Sequence, residues 1–189
     1  MNVYDFDQTI LKGDSEDYFL QYIIDEKLIK GFKLFKFKKL VKNRCKTLEI
    51  YLKKSEVIYK MVALNIKDLD SVLEMFWDKH EKFIKPFYKE IRRDDDIIST
   101  ATPTFVVKPI FERLGIKNYI GTEFDFEKMC FVDGLNYAEK KPVNFIKKYG
   151  NVEIDTFYSD SNSDVYLARL AKKAIKVKGE EFLDWDTNK

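Results

Sequence analysis

Two aspartates, Asp5 and Asp7, directly follow the short apolar segment 2–4. Because side chains alternate along a strand, carboxylates at positions i and i+2 leave a strand end on the same side. There they can share a divalent cation and a phosphate. One carboxylate can attack the phosphorus while the other handles the proton of the leaving group. The pattern therefore favours phosphoryl-transfer chemistry at the end of the first strand.

Composition narrows the class of protein. The chain has 189 residues, of which 45% are hydrophobic, including 16 Phe and 11 Tyr, enough for a packed core and against intrinsic disorder. Lysine and arginine (34) nearly balance aspartate and glutamate (32), so the charge gives no indication of nucleic-acid binding. His80 is the only histidine, which excludes a histidine triad or a multi-histidine metal site, and we assign it no catalytic role.

The sequence also predicts a cellular setting. Cys45 and Cys130 are far apart and form no ligand-spaced pair, so we interpret both as reduced thiols. The chain has no apolar run of the roughly 18 residues that a membrane span needs, and it begins without a basic-then-apolar leader. These features predict a soluble, cytoplasmic protein, and they leave the oligomeric state open.

Hydrophobic periodicity divides the chain into a helical block and alternating units. Residues 15–90 predict nearly continuous helix with breaks at Gly31 and at 65–68. Strands and helices then alternate, which indicates a parallel sheet. We predict an α/β core of residues 1–14 and 91–189 with an all-helical cap, 15–90, inserted after the first strand. The later predicted elements are strands near 97–98, 118–121, 156–159 and 174–177, a hairpin at 124–132, and helices at 103–114, 142–149 and 165–173.

Further polar residues fall at predicted strand ends in the second half. Ser99 closes the second strand; its hydroxyl and the amides around Thr100 could hold phosphate oxygens, or the residue could simply cap the next helix. Lys141 precedes Pro142 at a helix start and could neutralise a phosphate, although a surface lysine is the simpler interpretation. Ligands of parallel sheets bind at this edge, beyond the carboxyl ends of the strands.

A second acidic pair follows the strand 156–159. Asp160 could complete a metal shell and Asp164 could orient a lysine or a water. The alternative interpretation of the same residues is a solvated acidic turn. Oxygen ligands without histidine or cysteine suit Mg²⁺.

In this order the segments resemble the haloacid dehalogenase-like hydrolase superfamily nearly end to end. Asp5-Phe6-Asp7-Gln8-Thr9 is similar to its first motif, Ser99 to its second, Lys141 to its third, and Asp160 with Asp164 to its fourth. The helical insertion resembles the type-one cap of the phosphoserine-phosphatase-like branch.

The resemblance implies a Rossmann-like core and a role for each motif residue. Asp5 is implied as the nucleophile and Asp7 as the general acid and base. Mg²⁺ is implied at Asp5, Asp160 and the backbone carbonyl of Asp7. Thr9 and Ser99 belong to the implied phosphate site. The aspartate at position 7 implies phosphate chemistry, because the dehalogenase members lack it.

Two departures from the family pattern affect the third motif and the cap. Lys140 competes with Lys141, because the glycine often found upstream is absent; we prefer Lys141, since Pro142 then takes the first helical position. Asp14 stands near the place of the glutamate that contacts substrate in this branch. Arg44 is the only arginine in the cap and its context does not match, so phosphoserine itself is not indicated as the substrate.

Residues 27–60 are strongly basic, with phenylalanines interleaved. One interpretation is a membrane-surface helix that feeds a lipid phosphate to the site. The other is a packed cap helix with its lysines in solvent, which we prefer because the aromatic residues scatter around the helix.

The sequence therefore predicts a Mg²⁺-dependent phosphatase that hydrolyses a small phosphorylated metabolite through an aspartyl phosphate on Asp5. A phosphotransferase or mutase using the same intermediate is the first alternative. A metabolite-binding protein without turnover is the second.

Overall fold

The computed structural model describes residues 1–187 and is built around a six-stranded sheet. Across the sheet the order is β3-β2-β1-β6-β7-β8; every neighbouring pair is parallel except β7 and β8. A separate two-stranded ribbon joins β4 and β5. The strands are β1 (Asn2–Tyr4), β2 (Ile97–Pro103), β3 (Tyr119–Thr122), β4 (Phe124–Asp125), β5 (Cys130–Phe131), β6 (Ile154–Ser159), β7 (Ala171–Lys178) and β8 (Glu181–Asp184).

Helices cover the sheet and fill the connection between its first two strands. Five of them lie between β1 and β2, as the helical block in the sequence predicts. None of the helices within residues 1–187 is long and apolar enough to cross a membrane. The helices are α1 (Ser15–Asp25), α2 (Gly31–Lys42), α3 (Leu48–Asn65), α4 (Leu69–His80), α5 (Pro86–Ile91), α6 (Thr104–Arg113), α7 (Lys140–Tyr149) and α8 (Val165–Ala168).

The order of strands reverses at β1, and this reversal indicates where in the sheet a ligand site is expected. From β1 the chain runs outward through β2 and β3, then returns to pair β6 on the other side of β1. Ligands of parallel α/β sheets bind where this reversal opens a crevice beyond the strand ends. The α/β fold with a largely parallel sheet, predicted from the alternation of elements, is confirmed.

The helical insertion shares its hydrophobic core with the sheet. Phe6, fully buried between the two aspartates of the first motif, packs its ring against Phe111 of α6 and Trp77 of α4, at centroid distances of 5.0 and 6.2 Å. The Trp77 indole N–H donates to the carbonyl of Val106 at 2.7 Å, which satisfies its only polar atom. Helix α4 is therefore anchored to α6, which packs on the sheet. The boundaries of the cap at 14/15 and 90/91 stay a prediction.

One predicted element is wrong and one was missed. The predicted helix 165–173 is only the four residues of α8, after which Ala171 already begins β7. Helical spacing of apolar residues suggested the longer helix, but backbone pairing of β7 with β6 extends from Ala171 to Lys176 and decides the conformation. Strand β8, which follows at 181–184, was not predicted; it is exposed at the sheet edge and carries no clear alternation.

Candidate active site

The carboxyl ends of β1 and β6 bring the acidic motifs together. Asp5 extends the ladder by donating its backbone N–H to the carbonyl of Tyr158 at 2.9 Å, so Asp5 and Asp160 leave adjacent strands. Both line one cavity of about 770 Å³, together with Asp7, Lys141 and Asp164. The structure therefore places the predicted aspartates and lysine in a single cavity between sheet and cap.

Lys141 is the electrostatic centre of this cavity. Its ammonium is 2.7 Å from Asp5 Oδ1 and 2.8 Å from Asp164 Oδ2, and all three side chains are buried. Ser159 also donates its hydroxyl to Asp164 Oδ2 at 2.7 Å. Lys140, the competing lysine, turns outward and donates to the backbone carbonyl of Asp133. Between the two lysines, the geometry places Lys141 in the site.

Burial and charge act against each other on this triad. Burial lowers the pKa of Lys141, but attraction to Asp5 and Asp164 outweighs it and leaves that pKa above its ordinary value. Burial raises the pKa of Asp5 well above its ordinary value, and Lys141 opposes that shift. Asp164 Oδ1 is buried and has no hydrogen-bond partner among residues 1–187. The site therefore holds buried negative charge that one ammonium does not fully compensate.

Asp7 is held apart from this triad. Its Oδ1 accepts the backbone N–H of Ser15 at 2.6 Å, at the start of α1, and its Oδ2 accepts the hydroxyl of Thr102 at 2.5 Å. Burial raises the pKa of Asp7, although both of these hydrogen bonds act in the opposite direction. A carboxyl with a raised pKa can carry a proton near neutral pH, which is what a general acid requires. The two aspartates therefore occupy different environments, one beside an ammonium and one beside neutral donors.

A tight loop fixes the direction of both aspartates. Gln8 adopts a left-handed conformation with φ of 58°, and its N–H donates to the carbonyl of Gly13 at 2.9 Å. Gly13 has φ of 103°, and a Cβ there would overlap the ring of Tyr18, so glycine is required. Lys85, which is buried, donates its ammonium to the carbonyl of Gln8 and, at 2.7 Å, to that of Gly179. This lysine, which the sequence analysis did not single out, ties the loop to the turn between β7 and β8.

The cavity offers oxygen ligands, which hard cations prefer. Within residues 1–187 no three acidic, histidine or cysteine side chains are grouped as a metal site, so the side chains available to a cation are the two carboxylates that line the cavity from adjacent strands, Asp5 and Asp160. Burial raises the pKa of Asp160, and repulsion from Asp164 adds to the shift. A divalent cation held there would offset this excess of buried negative charge.

Thr9 supports Asp160 and does not reach into the cavity. Its hydroxyl accepts the backbone N–H of Asp160 at 2.9 Å and lies 3.4 Å from Asp160 Oδ1, and the residue is fully buried. Thr9 therefore joins the end of β6 to the loop after β1. Its predicted contact with phosphate stays a prediction.

The second motif is placed differently from expectation. Ser99 and Thr100 are both fully buried, and neither lines the cavity; Ser99 Oγ accepts a hydrogen bond from the amide of Asn136 at 3.2 Å. The cavity is lined instead by the next two residues, Ala101 and Thr102. The end of β2 does reach the site, but through residues two or three positions later than the sequence suggested.

The cap contributes an acidic wall. Glu16 of α1 lines the cavity, accepts hydrogen bonds from the hydroxyls of Tyr51 and, at 2.7 Å, Tyr59 of α3, and has its pKa raised by burial. Asp14 also lines the cavity, but its carboxylate caps α1 by accepting the Asp17 N–H at 2.9 Å. The sequence analysis named Asp14, whose contact with substrate stays a prediction, and did not consider Glu16, because the tyrosines that hold Glu16 lie on a helix 35 and 43 residues further along the chain.

The loop between α2 and α3, together with α3 itself, brings basic residues to the same cavity. Arg44 and Lys46 line it from the loop, and Lys54 lines it from α3. The cavity is therefore acidic at its base and on the α1 side and basic at its rim, so it can orient a molecule that carries both signs of charge.

We predict that Lys141→Met lowers the free energy of unfolding by about 3–5 kcal/mol, because it leaves two buried carboxylates without a counter-charge. Lys140→Met is the matched control on the neighbouring residue, and its effect is expected within about 0.5 kcal/mol. Urea denaturation of the two variants and the wild type measures both values. Equal effects at the two positions would contradict the central role of Lys141.

We predict a pH-dependent stabilisation by Asp14→Asn. Burial, with repulsion from Asp7, raises the pKa of Asp14 to about 7 in the folded protein, above the unfolded value of about 4. The folded state therefore holds the proton more tightly, and this carboxyl makes the protein less stable as pH rises from about 4 to about 7. Asparagine caps a helix as well as aspartate.

The variant should thus match the wild type near pH 4 and be more stable than it above pH 7. The free energy of unfolding of both proteins, measured by urea denaturation in EDTA across this pH range, tests the prediction. Parallel stability curves for the two proteins would show that Asp14 has an ordinary pKa.

Comparisons with solved structures find similar folds. A solved structure from Bordetella pertussis Tohama I superposes with a TM-score of 0.73 at 19% identity, covering 93% of this chain and 88% of that one. A phosphoserine phosphohydrolase-like protein from Francisella tularensis subsp. tularensis SCHU S4 gives 0.56 at 17% identity, covering 93% and 87%. These likenesses concern the fold.

Similarity also extends to sequence. A histidinol-phosphatase of Neisseria meningitidis serogroup C (strain 8013) is 22% identical over 211 aligned positions, which cover 96% of this chain and 91% of that protein. The model of the haloacid dehalogenase-like hydrolase family matches residues 3–169, a span that contains all four predicted motifs. The chain belongs to the haloacid dehalogenase-like hydrolase family.

Proposed function

We propose that this protein is a Mg²⁺-dependent phosphatase that hydrolyses a small phosphomonoester through an aspartyl phosphate on Asp5. The observation that carries the proposal is the separation of the two aspartates into unlike environments in one cavity. Asp5 lies 2.7 Å from a buried ammonium, whereas Asp7 accepts hydrogen bonds from two neutral donors, the backbone N–H of Ser15 and the hydroxyl of Thr102. Family membership and the histidinol-phosphatase relative support the same reaction class.

Each residue has a defined step in this reaction. A carboxylate oxygen of Asp5 attacks phosphorus while Asp7 gives its proton to the leaving oxygen. Asp7, now ionised, then takes a proton from the water that attacks the phosphorus of phospho-Asp5, and inorganic phosphate leaves. Lys141 stays beside Asp5 and offsets the charge of the phosphoryl group. Magnesium, when bound by Asp5, Asp160 and the backbone at Asp7, neutralises phosphate oxygens.

We predict that Asp5→Asn lowers turnover of p-nitrophenyl phosphate at least 10³-fold and leaves the fold intact, because an amide cannot form the aspartyl phosphate. Asp25→Asn, an exposed change at the end of α1, is the control and should keep wild-type turnover. The assay is run with Mg²⁺ and repeated in EDTA, where activity should vanish and return when Mg²⁺ is added back.

Wild-type turnover by Asp5→Asn would overturn the mechanism. Acid-quenched mixtures provide a second test, since phosphate should be trapped on the wild-type chain and not on the variant. Analysis of products made in the presence of acceptor alcohols distinguishes hydrolysis from phosphotransfer.

Glu16 further favours a substrate that carries an amine near its phosphate. Each of its carboxylate oxygens accepts one tyrosine hydroxyl, which leaves further lone pairs for a ligand. Because the Glu16 carboxylate is buried, an ammonium group of a ligand would stabilise it by compensating its desolvated negative charge. The substrates named by two relatives, phosphoserine and histidinol phosphate, both contain a primary amine next to the phosphorylated alcohol.

We predict that Glu16→Gln raises the KM for histidinol phosphate about 10-fold or more, since removing a charged hydrogen-bond partner costs about 1.5–3 kcal/mol. The KM for p-nitrophenyl phosphate, which lacks an amine, should change less than 3-fold. Glu49→Gln, an exposed carboxylate at the start of α3, is the matched control. Equal changes in KM for both substrates would refute amine recognition while leaving the phosphatase proposal intact.

A further inference from the structure

A second cavity adjoins the active site on the far side of Asp160. Its volume is about 620 Å³, and it shares Asp160 and Ser161 with the first cavity. Its other walls come from β7, β8 and the segment after them, including Lys176, Lys178 and Trp185. None of these three residues has a role in the proposed reaction.

The ammonium of Lys176 makes this cavity unusual. It is buried and has no hydrogen-bond partner among residues 1–187. One face of it is covered by the ring of Trp185, whose centroid lies 3.9 Å away. A cation–π contact recovers part of the cost of burying a charge, but the three N–H groups of an ammonium still need acceptors. An acceptor from outside the chain would complete this environment.

The charges around the cavity indicate the sign of that acceptor. Two carboxylates line it as well: Asp184 pairs with Lys173 at 3.1 Å, and Asp160, which lies 3.4 Å from the hydroxyl of Thr9, attracts Lys176 without a hydrogen bond to it. Lys178 adds a second, exposed ammonium to the same walls. The cavity thus offers two lysines to a small anion.

We propose that this second cavity is an anion site that binds inorganic phosphate against Lys176 and Lys178. Asp160 lies between it and the proposed reaction centre. The inference rests in part on the proposed function, because hydrolysis would release phosphate on the other side of Asp160. The chemistry of phosphate also supports the proposal without turnover, because a phosphate ion is negatively charged and has several oxygens that can accept hydrogen bonds from the unpartnered ammonium of Lys176.

The test is calorimetric titration of inorganic phosphate into the protein in EDTA, with tryptophan emission recorded in parallel. Six carboxylates line the first cavity and two line the second, so without metal phosphate is disfavoured more strongly in the first. We expect saturable binding, a change in emission that Trp185→Phe removes, and at least 10-fold weaker binding by Lys176→Met. Lys178→Met should weaken binding about 3-fold, because its ammonium is exposed.

Lys172→Met is the matched control, since it removes a lysine of the same strand that pairs with Glu153 outside the cavity. Its phosphate affinity should stay within 2-fold of wild type. Wild-type affinity in both Lys176→Met and Lys178→Met, or tighter binding of acetate than of phosphate, would overturn the proposal. Binding is measured without turnover, so a protein that binds phosphate through Lys176 but hydrolyses no phosphoester would refute the proposed function and leave this site standing.

Discussion

The buried ammonium of Lys141 is the interaction on which the rest of the site depends. It joins the end of β1, the start of α7 and the turn after β6, through Asp5 and Asp164, across 136 and 23 residues of sequence. Removing three charged groups from water is costly, and only close contact between opposite charges offsets that cost. The site therefore forms only when all three segments have docked, which couples the chemistry of Asp5 to completion of the fold.

Sequence patterns indicate where a side chain lies when its position follows from local geometry. Asp5, Asp7 and Asp160 line one cavity because they directly follow strands, and parallel strands end at one edge of a sheet. Sequence patterns are less informative for a residue whose position depends on partners far away along the chain. Glu16 gains its place from two tyrosines on another helix, and the second motif reaches the cavity through Thr102 instead of Ser99, which depends on how β2 ends.

Charge is distributed unevenly within the cavity. Carboxylates at its base favour a cation, the ammonium beside Asp5 favours a phosphoryl group, and basic residues at the rim favour anionic ligands on approach. Asp7 stands outside this balance, since Ser15 and Thr102 fix it with neutral donors. The pKa of Asp7 therefore depends chiefly on burial and on these donors, and less on the lysine.

The continuous core between cap and sheet has a consequence for how such a protein can change over evolution. Trp77 locks α4 onto α6, so any substitution that shifts α1 or α4 to reshape the cavity also loosens the packing under the first motif. The loop 43–47 lies at the cavity mouth and is mostly exposed. Substitutions in that loop therefore disturb the buried core less than substitutions in α1 or α4 do, so the shape of the cavity can change more easily at the loop than at the α1 wall.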